Sequence, residues 1–173
     1  MSLNYFELFG LKPTFKIELA TLESNFRKIQ SESHPDRFVT ASAADKLSAM
    51  QRATLANEAY LSLKNPADRA QYLLELHGIT AISETNTAMP TDFLMQQMEW
   101  REATEDAVST KNIEALESLL ADIRIEEKSL QAELINFLDE KQDYAAATDV
   151  TRKLIFMEKV SEDINHAIEQ LDI

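Results

Sequence analysis

A His-Pro-Asp triplet, His34-Pro35-Asp36, lies in the stretch SESHPDRF at residues 31–38. An imidazole and a carboxylate two residues apart are the side chains of acid–base chemistry. No nucleophile, glycine-rich loop or oxyanion-hole signal accompanies them, so an acid–base enzyme built on His34 and Asp36 rests on residue types alone. The same three residues suit recognition. Pro35 rigidifies the turn, so less entropy is lost on docking. Asp36 offers a carboxylate that can pair bidentately with an arginine on a partner. His34 can donate or accept a hydrogen bond. The plain alternative is a helix-terminating turn in which Pro breaks, Asp caps and His is exposed. With no Cys and three His at no ligand spacing, neither a metal site nor a cofactor is expected.

The elements that must position this triplet read as helices. Gly is 2, Pro is 4 and the apolar fraction is 45%, a composition for an all-α chain with a core. A short apolar helix over 4–9 stops at Gly10. A helix over 18–33 carries Leu19, Leu22, Phe26 and Ile29 as one buried stripe, with Ile17 and Leu22 spaced for a hydrophobic staple. Pro35 ends it by disfavouring helical geometry at His34. A longer helix over 42–64 places Ala56, Ala59, Tyr60 and Leu63 on one face, and Asn65-Pro66 closes it. A fourth, over 67–77, ends at Gly78, with His77 beside the negative end of its dipole.

Residues 79–91 lack a helical stripe and are rich in Thr and Ser. Beyond them three helices are expected. The first spans 92–108, capped by Thr91 or Asp92. The second spans 113–138, with Ile113, Leu116, Leu120, Ile123, Leu130, Leu134 and Phe137 inward and Glu127 interrupting. The third spans 144–171, through Ala147, Val150, Leu154, Met157, Ile164, Ile168 and Leu171. Short polar turns make neighbours antiparallel, which gives a three-helix bundle or coiled hairpin. The organisation expected is a helical hairpin module at 1–77, a linker at 78–91 and a bundle at 92–173.

Residues 1–77 hold nine Lys/Arg and nine Asp/Glu, so the whole net charge of −13 falls on the remainder. Such asymmetry suggests modules with different partners, and the acidic half would repel nucleic acid. A solvated acidic surface explains the charge equally well. No apolar stretch approaches the ~20 residues that span a bilayer, and no basic segment precedes an apolar run at the start. A soluble cytoplasmic protein is expected.

The segments NYFELFGL, FRKI, HPDRF and ANEAYLSLKNPADRAQYLL together resemble a J domain, the module through which co-chaperones act on DnaK-type ATPases. FLMQQMEWREATEDA and AAATDVTRKLIFMEKV resemble the acidic helical domain of the HscB family, J-type co-chaperones of iron–sulfur cluster assembly. The resemblance covers essentially the whole chain. It implies that His34, Pro35, Asp36 and Arg37 meet an HscA-type (DnaK-like) ATPase chaperone, with Arg27 and Lys28 supplying a positive face. By themselves those two cations read equally well as a solvated helix surface. Ser31, Glu32 and Ser33 stand where many J domains carry basic residues and Tyr, and Arg37 replaces the commoner Lys; this fits a dedicated chaperone partner.

A second site is partly visible without the family. Phe93, Trp100 and Ala107 share one heptad line, while Leu94, Met95 and Met98 fall beside it and Ile155 and Phe156 fall off the last helix's stripe. More apolar surface exists than one seam buries. Either it forms an exposed protein-binding patch rimmed by Glu99, Glu102 and Asp106, or it is buried against another element. The resemblance implies the patch: Leu94, Met95, Met98, Glu99, Arg101, Glu102, Asp106 and Phe156 would hold an IscU-type iron–sulfur scaffold. The reading is a monomeric two-module co-chaperone, not an enzyme, that delivers the scaffold to the chaperone and stimulates its ATPase. A J-protein with another dedicated client and a structural helical adaptor are the alternatives.

Overall fold

The computed structural model describes residues 3–82 and 89–172, and among them every regular element is helical. Part of the expected linker, 83–88, lies outside the described residues. The chain divides into two compact units, Met1–Leu76 and His77–Ile173.

In the first unit α1 (Tyr5–Leu8) starts from a capping box between Asn4 and Glu7 and stops before Gly10, whose φ of 66° suits glycine. Next, α2 (Leu19–Glu32) and α3 (Ala43–Lys64) form a hairpin, and α4 (Pro66–Leu76) packs on α3. Ala49, Ala56 and Ala59 are buried on α3, and their small side chains let neighbouring helices approach closely. Leu22, Ile29 and Leu63 fill the seam. The rings of Phe26 and Tyr60 stack across it with centroids 4.1 Å apart, and Phe9 meets Phe26 edge-on. The stripe expected on α2 is shorter than the sequence suggested: Leu19 is 54% exposed. It is the first helical residue and lies roughly 60° around the helix from Leu22 at about 100° per residue.

Arg69 is buried and ties three segments together. Its Nε donates to the Phe15 carbonyl at 2.6 Å, its Nη1 donates to the Leu63 carbonyl at 2.7 Å, and its guanidinium lies over the Phe15 ring. Tyr72 stacks on Tyr5 and accepts a hydrogen bond from the Tyr5 backbone N–H; burial pushes its phenol pKa up.

In the second unit α5 (Thr91–Ser109), α6 (Ile113–Leu134) and α7 (Tyr144–Leu171) form the antiparallel bundle, with the α6–α7 seam the most extensive. Leu116, Leu120, Ile123, Leu130 and Leu134 face Ala147, Val150, Leu154, Met157 and Ile164 in its core. Glu127, on the apolar stripe of α6, accepts a 2.6 Å hydrogen bond from Ser161 of α7, which is how a carboxylate sits there. Both inter-helix turns pass through a non-glycine residue with positive φ, Lys111 and Gln142, before the side-chain caps Asn112 and Asp143.

Three expectations change here. The first helix of the bundle begins at Thr91 with Pro90 as its N-cap, because the Pro90 carbonyl already accepts from Leu94 N–H, so neither Thr91 nor Asp92 caps it. The second does not stay α-helical to 138: residues Ile135–Glu140 form a π-helical turn. The wider turn shifts the register by one residue, so Leu138 is buried where Phe137 was expected. His77 follows α4 and stacks on Tyr144 of α7, with ring centroids 4.2 Å apart. A few residues on, buried Arg152 donates from Nε to the Ala81 carbonyl at 2.6 Å, holding this segment to α7.

Replacing Arg69 strips two buried carbonyls of their donor. Arg69→Met should destabilise the first unit by about 3 kcal/mol. The single tryptophan, Trp100, lies in the second unit. In urea, the loss of helicity by circular dichroism should therefore move to lower concentration while the Trp100 fluorescence transition moves much less.

Candidate functional site

Ser33 closes α2, its N–H bonding to the Ile29 carbonyl, and its side chain is buried at the mouth of the hairpin. His34 is extended, as the following proline requires. The chain does not then continue as an open connection. Pro35–Phe38 form one turn of 3₁₀ helix with Pro35 at its start and an Arg37 N–H to His34 carbonyl bond of 3.0 Å. His34, not Asp36, caps this turn: its Nδ1 accepts from the Asp36 N–H at 3.2 Å. The reading in which Asp caps is thereby overturned. With the imidazole as cap, the Asp36 carboxylate is left 89% exposed, projecting from a fixed backbone.

Arg27, Gln30, Ser31, His34, Asp36 and Arg37 line one shallow depression. Arg37 is steered into it by a 3.4 Å hydrogen bond to Ser31. Arg27 is paired with Glu23 at 2.7 Å, an exposed i,i+4 contact that offsets part of its charge. Lys28 is exposed but does not line the depression. On the other side of the turn, Pro35, Phe38, Val39, Ala49, Met50 and Ala53 line a largely apolar groove of about 520 Å³ bordered by Asp36 and Lys46. Sequence reading missed this groove. Its signal was that Val39 and Met50 lie off the core stripes, and both are exposed.

In the second unit α5 turns Phe93 and Ala107 inward, and Trp100 packs edge-on against Phe93. Leu94, Met95 and Met98 are exposed, Met98 to 62%, and Glu99, Arg101, Glu102 and Asp106 stand exposed along the same helix. Phe156 is half-buried. It lines a groove between α5 and α7 of about 490 Å³ together with Gln97, Arg101, Thr104, Glu105, Lys159, Val160 and Asp163. The geometry thus brings Arg101 and Phe156 together, whereas Leu94, Met95, Met98, Glu99, Glu102 and Asp106 lie outside that groove. Gln97, Lys159, Val160 and Asp163 were not singled out by sequence; the charged pair could have been found by projecting the two helices on one another. Among the described residues no cluster of His, Asp or Glu could hold a metal ion, and no helix is long and apolar enough to cross a membrane.

A helical hairpin turning on an exposed His-Pro-Asp, followed by an antiparallel bundle with its own core, is the architecture of a J-type co-chaperone. Comparison with known proteins narrows the class. The family model described as the HSCB C-terminal oligomerisation domain matches residues 89–165. The co-chaperone protein HscB homolog of Burkholderia mallei is 48% identical over 169 residues, which covers 98% of this chain and 96% of the relative. Among solved structures, the chaperone HscB from Vibrio cholerae superposes with a TM-score of 0.85 at 38% identity, covering 98% of this chain and 99% of that one. The human co-chaperone HscB superposes with a TM-score of 0.88 at 27% identity, covering 95% and 82%. The chain belongs to the HscB co-chaperone family.

The exposure of the α5 patch has a direct test in stability. Met95→Ser and Met98→Ser should each change the bundle's unfolding free energy by less than about 0.5 kcal/mol. Phe93→Ala, one turn away but buried, should cost roughly 3–5 kcal/mol. Urea titrations followed by Trp100 fluorescence separate the two outcomes.

Proposed function

We propose that this chain holds an iron–sulfur scaffold protein of the IscU type on its C-terminal bundle. It presents that complex to a DnaK-like chaperone of the HscA type and stimulates the chaperone's ATP hydrolysis, assisting the maturation of iron–sulfur proteins in the cytoplasm. Residues 1–77 act as the J domain, 78–91 as the linker and 92–173 as the scaffold-binding domain, with the chain working as a monomer. The single observation that carries this reading is the His-Pro-Asp turn: a carboxylate fully presented on a backbone that needs no further ordering. A preformed turn loses little entropy on docking, and Asp36 can meet a guanidinium on the ATPase.

The chemistry of hydrolysis belongs to the partner. His34, Pro35, Asp36 and Arg37 bind more tightly to the chaperone conformation that hydrolyses ATP and traps its client, and so shift its population toward that state. Arg27 and Lys28 contribute mainly to encounter rate and orientation. On the bundle, Leu94, Met95, Met98 and Phe156 supply apolar contact, the methionines being able to re-pack against their partner. Glu99, Arg101, Glu102 and Asp106 rim that contact and set its register.

The test is the steady-state ATPase rate of the HscA-type chaperone alone, with this chain, with the scaffold and with both. A synergistic rise that Asp36→Asn abolishes is expected. Leu94→Ala and Phe156→Ala should weaken scaffold binding roughly 5- to 30-fold, about 1–2 kcal/mol each, and leave stimulation by the chain alone intact. Stimulation without synergy would point to a different client. No stimulation in any mixture would leave only a structural helical adaptor.

A further inference from the structure

The imidazole of His34 has two nitrogens, and the fold gives each a different task. Pro35 has no N–H, so the first free donor of the 3₁₀ turn is the Asp36 amide. The contact that satisfies it is His34 Nδ1 at 3.2 Å. A nitrogen that accepts a hydrogen bond carries no proton. The neutral ring is therefore fixed with its hydrogen on Nε2. One group nearby argues the other way: the Asp36 carboxylate is 3.6 Å from the same Nδ1 and would favour a proton there. It loses on distance and on setting, because 3.6 Å lies beyond hydrogen-bond range and that carboxylate is almost fully in water.

We propose that His34 is a positioning residue with two ends: Nδ1 caps the turn that carries Asp36, and Nε2–H points outward as a donor that requires a hydrogen-bond acceptor on the partner. The inference rests on the proposed function for its outward half only. It makes the turn and the contact separable. Asn has an acceptor where the ring has Nδ1 and is among the strongest capping residues. It has nothing where the ring has Nε2. Gln has the reverse: a distal N–H and no proximal acceptor. Ala has neither.

The experiment uses the full-length chain labelled with ¹⁵N, as wild type, His34→Asn, His34→Gln and His34→Ala, above the pH at which the imidazole is protonated. Imidazole nitrogen spectra read the tautomer, amide hydrogen exchange at Asp36 reads the cap, and HscA-type ATPase stimulation reads the outward donor. Expected are an unprotonated Nδ1 and Asp36 exchange that is about fivefold slower in wild type and His34→Asn than in His34→Gln and His34→Ala, the factor matching a cap of typical strength. His34→Asn should keep that protection and still lose stimulation at least tenfold. A ring protonated at Nδ1, or Asp36 exchange equal in wild type and His34→Ala, overturns the cap. His34→Asn stimulating like wild type overturns the outward donor. If the wild type itself fails to stimulate, the proposed function fails, while the tautomer and exchange data still decide the cap.

Discussion

The first unit depends on how closely α2 and α3 approach. Alanines at 49, 56 and 59 leave room for a neighbour, and the Phe26–Tyr60 stack fills the space beside them with flat rings. That approach fixes the distance between the end of one helix and the start of the next. The nine residues between Glu32 and the Ser42 cap must bridge it. They do so with a proline-started 3₁₀ turn, because Pro35 cannot continue α2 and its fixed φ is already suited to a tight turn. An Arg52–Glu32 ion pair joins the two helices near the same end. The triplet is presented because the hairpin leaves it nowhere else to go.

In the second unit the deciding feature is a surplus. The α5 helix has more apolar positions than one seam uses, and the core takes Phe93 and Ala107. Leu94, Met95 and Met98 remain in water among charged neighbours. The acidic excess of this half belongs with it. Charge of one sign opposes the meeting of two such surfaces.

Much of the fold was legible because the punctuation is unambiguous. Gly10, Pro35, Asn65-Pro66 and Gly78 stop helices for reasons of backbone chemistry that no tertiary contact overrides. The exposed turn was legible by residue type. On α5 the surplus of apolar positions was legible, but periodicity leaves open whether it is exposed or buried against another element; the structure shows Leu94, Met95 and Met98 exposed. What escaped was what depends on neighbours. Periodicity placed Leu19 on the buried stripe, but the stripe is only as long as the partner it faces. It placed Phe137 inward, since a period of 3.6 continues until told otherwise. Nothing local distinguishes His34 from Asp36 as the cap: both have an acceptor at the right distance from the backbone, and the choice is made by the turn that Pro35 starts. The grooves escaped for the same reason, being made of pairs of elements.

The π-helical turn at Ile135–Glu140 has a meaning beyond its effect on register. Such a turn pairs i with i+5 and so takes up one more residue than an α-helical turn does. Leu134 before it and Leu138 within it both remain in the core, so the extra residue is absorbed locally rather than carried along the helix. The end of α6 therefore widens without giving up either leucine, and the chain reaches the Asp143 cap with its core contacts kept.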